Sequence, residues 1–334
     1  EIKIDENTQN VEYIKIQSKN KICKIKAKIF VLACGTIENA KILLNNQNNN
    51  KILQNNNIGK YFMDHPRVSL GTLKAKKKLP LSILFGIKNK DYDFRKSLSL
   101  SKKLQIDKQI MNSYVFLDPK FNKEDEILFD KFLAEIKKII KFSGIPKINY
   151  FRLNYKKIFE QLYLNLPAQI SNSRLNNILL NFFKKKKYKL SFDQMHVHYQ
   201  AEQFPNPDSK IYLSDKNDIF NQKTVIVDWK LNKIDYKTQD EFAKMLLDKY
   251  NSHDLLMFEE NNKKEVTDAS HHSGTTRMSI NKSDGVVDKN CKVHDINNLY
   301  ISGSSVLRVA GSINPGLTNM AMSTRLGNYL NNLI

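Results

Sequence analysis

The chain has 334 residues, 41% of them hydrophobic, enough to bury a sizeable core in one large or two ordinary domains. Its formal charge is +20, yet lysine far outnumbers arginine and is spread along the whole sequence with Asn and Ile, so a nucleic-acid partner is not expected. Three scattered cysteines, Cys23, Cys34 and Cys291, suit neither a disulfide framework nor a zinc site, and no apolar run reaches the roughly 18 residues of a membrane span.

The opening Glu1-Ile2-Lys3-Ile4-Asp5 begins in mid-strand style, with neither initiator Met nor signal peptide, so a piece of a longer protein is expected. Val11 to Ile16 and Ile22 to Ala27 pattern as strands around a polar turn, Ser18-Lys19-Asn20. Ile29-Phe30-Val31-Leu32-Ala33 is short, continuous and apolar, the pattern of a strand covered on both faces of a parallel sheet, and Cys34 beside it reads as a small core residue. The run ends at Gly35, and a helix is predicted from Ile37 to Leu44. Strand, glycine and helix start make the generic nucleotide-binding turn of doubly wound folds. Asn45 to Asn57 reads as a polar surface connection into Ile58-Gly59-Lys60-Tyr61-Phe62-Met63-Asp64-His65-Pro66, where His65 reads as a hydrogen-bonded turn residue.

Val68 to Leu73 and Ser113 to Leu117 alternate as strands, while Asp125 to Phe142 and Arg174 to Phe183 carry helical spacing. The dense run Lys184 to Lys187 reads as a solvated turn. In Ser191 to Glu202, strand alternation puts Gln194, His196, His198, Gln200 and Glu202 on one face and Met195, Val197, Tyr199 and Ala201 on the other. The polar face suits either a sugar-binding cleft or solvent. His196 and His198 could ligate a metal, but no third ligand stands at a suitable spacing and no metal is expected. Glu202-Gln203-Phe204-Pro205-Asn206-Pro207 precedes a strand pair that reaches Val227-Asp228-Trp229, and Tyr236 to Tyr250 reads as an amphipathic helix.

The densest motif run is C-terminal. His271-His272-Ser273-Gly274-Thr275-Thr276-Arg277-Met278 leads to Gly285-Val286-Val287-Asp288 and then to a buried strand, Leu299 to Ser302, that ends at Gly303. Asn314-Pro315-Gly316 forms a turn that opens a helix from Thr318 to Leu330. Glycine at a strand end lets backbone N–H groups approach a phosphate or a flat ring closely, and a helix N-terminus adds positive potential. An anionic or flat cofactor is expected there from spacing alone.

These motifs, in this order, resemble those of the glucose–methanol–choline (GMC) oxidoreductases, flavin enzymes that oxidise alcohols and sugars. The resemblance covers residues 22–75 and 191–334. It implies FAD as cofactor, a small-molecule alcohol or sugar as substrate, His271 as the base for the hydroxyl proton, and Asn314 as its companion donor. Cofactor contacts are implied for Gly35, Gly303, Ser304, Asn314 and Pro315, and the polar strand face with His196, His198 and Gln200 is expected to meet the substrate. His272 is expected to pack or bond locally, and Tyr300 and Arg325 to be structural. The implied fold is α/β (α+β overall): a partial FAD-binding, Rossmann-like layer from 1–66 with 263–334, and a substrate-binding domain, 67–262, with a mostly antiparallel sheet. The family's Gly-x-Gly-x-x-Gly fingerprint does not occur in the sequence. A missing N-terminal segment or a separate chain is therefore expected to complete the FAD site. Lys210 stands where the family usually has Arg, Ser279 where it has Gly, and Gly316 where Thr is common. The alternative is a non-catalytic remnant of the fold that binds carbohydrate or a partner.

Overall fold

The computed structural model describes residues 1–18, 21–80, 96–119 and 191–333. The helices predicted over 125–142 and 174–183 and the lysine run at 184–187 lie outside them. Strands β1 (Ile2–Asp5), β2 (Asn10–Ser18) and β3 (Lys21–Ile25) form a small antiparallel sheet in which β3 is exposed along its length. β4 (Phe30–Leu32) follows, then helix α1 (Gly35–Gln47), which runs further than the predicted stretch and buries Ala40, Leu43 and Leu44.

The Asn-rich stretch from Asn45, which forms the end of α1 and the turns after it, is not the simple surface connection its composition suggests. Asn46 accepts the Ile2 N–H through Oδ1 at 2.7 Å, and Asn50 donates to the Ile2 carbonyl at 3.3 Å. Both side chains are buried. An amide that carries a donor and an acceptor can satisfy an edge strand's backbone, and here it pins β1 to the end of α1.

The antiparallel platform comprises β5 (Arg67–Pro80), β6 (Ser97–Ser99), β7 (Ser113–Pro119), β8 (Ser191–Ala201) and β11 (Leu256–Glu260), in the spatial order β11-β5-β8-β7-β6. A short helix, α2 (Lys102–Lys108), links β6 to β7, with the Ser101 hydroxyl capping its start. As the alternation predicts, Met195, Val197, Tyr199 and Ala201 of β8 are buried. They pack beneath α3 (Lys233–Asn251), where the Tyr199 and Phe242 rings meet edge to face at 5.6 Å. α3 begins earlier than its apolar stripe, because Asp235 accepts the Asn232 N–H at 2.7 Å and caps the first turn. The hairpin β9 (Lys210–Asn217) and β10 (Lys223–Asp228) sends Ile211 into a different core, with Leu43, Phe62, Val287 and Ile301.

That second core is built on β12 (Leu299–Ile301), which pairs parallel with β4 in the register Leu299↔Phe30 despite their separation in sequence. Parallel neighbours need a crossover, and here most of the chain supplies it. The sequence expectation for β4 is half right. Phe30 and Leu32 are buried, but Val31, on the opposite face, is 42% exposed, and Cys34 is exposed rather than in the core. Period-2 alternation turns Val31 away from its neighbours, and apolar character alone could not reveal an uncovered face. A 3₁₀ turn (Ser304–Val306) follows β12, and α4 (Gly316–Asn331) closes the chain with Leu326 as its one buried residue and Leu317 77% exposed. Among the described residues, no helix is long and apolar enough to cross a membrane.

Candidate functional site

Two turns far apart in sequence are held together by one carboxylate. Asp64 is fully buried, and its Oδ1 accepts the backbone N–H groups of His65 (2.6 Å), His271 (3.1 Å) and Ala269 (3.2 Å). Its Oδ2 lies 3.4 Å from His272 Nε2. A buried carboxylate is tolerated when donors converge on it, and these do. Gln203, from the turn before β9, accepts the Asp64 N–H and the Trp229 indole N–H through its one carbonyl oxygen. Backbone bonds complete the seam: Met63 and Ser273 exchange N–H···O contacts at 2.9 and 3.0 Å, and Gly59 donates to Thr275 at 2.8 Å.

The seam requires glycine at 274. Its φ is +91°, and a Cβ there would lie 2.1 Å from the Tyr61 carbonyl oxygen. Gly274→Ala is expected to lower stability by about 2–4 kcal/mol, from left-handed strain plus forced separation of the turns. A denaturant midpoint equal to that of the parent protein would contradict this account.

A second set of bonds ties the His pair to the β4–β12 ends. Thr36 Oγ1, at the start of α1, and Ser304 Oγ, just past β12, both donate to the His272 carbonyl, at 2.8 and 2.7 Å. Thr275 Oγ1 donates back to the Thr36 carbonyl at 2.7 Å. These contacts place Gly35 and Gly303, neighbours of Thr36 and Ser304, beside the His271–His272 turn. Both glycines have positive φ, +84° and +115°, and a Cβ at either would meet nothing within 4 Å. Their backbone is therefore approachable, whereas the Ser304 hydroxyl is already committed to holding the loop. Pro315 caps α4, and Asn314 before it is exposed.

His271 is half-buried, and its ring stands edge-on to that of His65 with centroids 5.3 Å apart. Burial, reinforced by the positive charge of Arg67, holds the His271 pKa below the ordinary imidazole value. His65 is fully buried, and its pKa is lowered by that burial first and by His271 second. The carbonyls of Ala201 and Ile313 oppose the shift, although no contact to either ring nitrogen has hydrogen-bond geometry among the described residues. Both imidazoles are thus held neutral at neutral pH. A depressed pKa contributes stability that is present above the unfolded value, about 6.5, and is lost as the pH falls through the folded values. Stability is expected to drop as the pH falls below about 6.5, and His65→Gln is expected to flatten that drop. Urea midpoints across this range check it, and parallel curves for the two proteins would refute it.

The platform supplies the rest. Gln200, expected from the sequence to meet the substrate, is fully buried. It accepts Arg67 Nε–H at 2.8 Å, donates to the Ser312 carbonyl at 3.0 Å, and lies 3.5 Å from Asn314 Oδ1. It sits where β8 runs under the 312–314 turn, so strand alternation placed it on the right face but tertiary packing sealed that end. His198, further out on the same face, lines a cavity of about 780 Å³ with Arg67, Phe116 and Asp118; its ring stacks on Phe116 at 5.1 Å and lies 3.4 Å from Asp118. His196 neighbours His198 with ring centroids 5.8 Å apart but does not line the cavity. Among the described residues, the grouping with metal-ligand chemistry is instead Asp64, Asp268 and His272, with donor atoms within 4.8 Å. Asp64 there already serves three N–H groups and His272.

The sequence missed Asp64 and Arg67. An Asp between Phe62-Met63 and a proline was legible as a turn. Nothing in the sequence showed that its carboxylate would reach residues 269–272, or that Arg67 would turn toward them.

Residues 205–323 match the family model described as GMC oxidoreductase. A stretch of 52 residues is 42% identical to pyranose 2-oxidase of Lyophyllum shimeji, covering 16% of this chain and 8% of that protein. Similar solved structures include a formate oxidase from Aspergillus oryzae RIB40 (TM-score 0.52, 14% identity, 98% of this chain and 58% of that one). Pyridoxine 4-oxidase from Mesorbium loti is another (TM-score 0.53, 12% identity, 99% and 56%). At these identities the likeness is one of fold, and the chain spans a little over half the length of those structures. The matched segment carries His271, Gly303, Ser304, Asn314 and Pro315; Gly35, His196, His198 and Gln200 lie before it.

Proposed function

We propose that this protein is an FAD-dependent oxidoreductase acting on the CH–OH group of alcohols or sugars, with His271 as base and Asn314 as companion donor. The observation that carries this reading is the convergence of a neutral imidazole, His271, with the open backbone at Gly35 and Gly303, through the bonds that Thr36 and Ser304 make to His272. His271 Nδ1 is buried without a hydrogen-bond partner among the described residues, which leaves Nε2 as the atom to take a hydroxyl proton. A neutral imidazole with a depressed pKa stays ready as a base into mildly acidic solution. Asn314 would hold the substrate oxygen without competing for its proton, and Gln200 would fix the Asn314 amide.

Gly35, Gly303, Ser304, Asn314 and Pro315 would hold the flavin through backbone groups at the ends of β4 and β12 and at the start of α4. Bound flavin would supply the acceptor for the substrate hydride. The two cores support a division into a cofactor-binding part, 1–66 with 263–334, and a substrate-binding part, 67–262, with the β9–β10 hairpin packing through Ile211 against the former and Val266 against the core of the latter. A segment or separate chain with a Gly-x-Gly-x-x-Gly turn would complete the pyrophosphate site, for which this sequence offers no such turn. The test is anaerobic mixing of the FAD-loaded protein with a panel of alcohols and sugars, expecting loss of the oxidised flavin absorption. If no member of the panel reduces the flavin and His271→Ala behaves like the parent, the carbohydrate-binding remnant takes the place of this reading.

A further inference from the structure

The cavity over the antiparallel platform is lined by two cations, Arg67 and Lys263, and two carboxylates, Asp118 and Glu265. Of its charged lining groups, Lys263 pairs with Glu265, and Asp118 lies against His198. Arg67 lines the same cavity and makes no ion pair among the described residues. Its one side-chain hydrogen bond there uses Nε, on Gln200 Oε1, which leaves the two Nη groups without an acceptor among the described residues. A guanidinium presents a planar fork that matches a carboxylate with two parallel N–H···O bonds, and half-buried cations are costly unless something answers them. Arg67 is held in place at both ends: its backbone N–H and carbonyl both bond to Thr267, and its Nε to the fully buried Gln200.

We propose that Arg67 forms a carboxylate-binding subsite, so that the ligand of this cavity is a hydroxy acid or sugar acid rather than a neutral alcohol. The position gives the subsite its meaning. Gln200 joins Arg67 to Asn314, and the positive charge of Arg67 reaches His271, so Arg67 links the cavity to both proposed catalytic residues. A bound anion would also offset the charge that lowers the His271 pKa and make the imidazole a stronger base. This deepens the function proposed above and rests on it for its catalytic meaning, but the anion site can be measured without turnover.

Calorimetric titration of the purified full-length protein compares carboxylates with neutral counterparts: lactate against propane-1,2-diol, and gluconate against sorbitol. At least one carboxylate is expected to bind more tightly than its neutral partner by roughly 10- to 100-fold, the worth of a charge-assisted bidentate contact. Arg67→Gln should abolish the preference, Arg67→Lys should keep it in weakened form, and Lys263→Gln should leave it intact because Lys263 is already paired. Equal binding of acids and neutral partners, a preference that survives in Arg67→Gln, or its loss in Lys263→Gln would overturn the subsite. Arg67-dependent carboxylate binding without any flavin reduction would keep the subsite and remove the oxidoreductase reading instead.

Discussion

Replacing His271 with Ala is expected to leave flavin bound and to slow its reduction by substrate by roughly 10²- to 10⁴-fold, the usual worth of a positioned general base. Flavin should stay bound because the residues proposed to hold it present backbone groups, and the His271 side chain makes no hydrogen bond to any of them among the described residues. Asn314→Ala should cost less, on the order of 10²- to 10³-fold, if its amide acts as a single donor to the developing alkoxide. The His272 ring is turned to Asp64, so His272→Ala should act on stability and not on the chemical step. Stopped-flow reduction under anaerobic conditions separates the three. A crippled His272→Ala beside an active His271→Ala would mean that the base is the other member of the pair.

Asp64→Ala should be the most destabilising single change at the site, by about 3–5 kcal/mol, because it orphans the buried N–H groups of His65 and Ala269 and the half-buried one of His271. The loss is specific to charge and geometry. Asp64→Asn keeps an acceptor at the same reach and should recover part of the stability, whereas Asp64→Ala should separate the 61–66 turn from the 269–273 turn. Hydrogen exchange at the His271 amide reads this directly, and an exchange rate unchanged in Asp64→Ala would show that the carboxylate does not hold the seam. The effect on flavin reduction should combine the loss of structure with the loss of the Asp64 charge, which opposes the lowering of the His271 pKa.

The elements with local causes were readable in the sequence. Alternation along 195–201 placed Met195, Val197, Tyr199 and Ala201 on α3, and the helix predicted over 236–250 buries Phe242, Leu246 and Tyr250 against them. The strand–glycine–helix unit at 30–47 and the strand–glycine turn at 299–303 stand where their composition puts them, because a glycine at positive φ and a short apolar run each act over a few residues. The order of motifs from His271 to Pro315 was enough to suggest the family.

Tertiary structure alone decided which of these pieces meet. Periodicity carries no information about partners distant in sequence, so the parallel pairing of β4 with β12 and the exposure of Val31 and Cys34 were not legible in an apolar run. The same holds for the asparagines. Asn46 and Asn50 look like loop residues until the edge of β1 arrives to use their amides. At the site, the sequence could offer Asp64, His65 and Arg67 only as near neighbours in a turn. Folding sends each in a different direction. Asp64 gathers backbone donors from residues 269 and 271, His65 backs the His271 ring, and Arg67 turns its fork into the cavity. Buried charges and amides take their roles from the groups that must satisfy them, and those groups are brought together only by the fold.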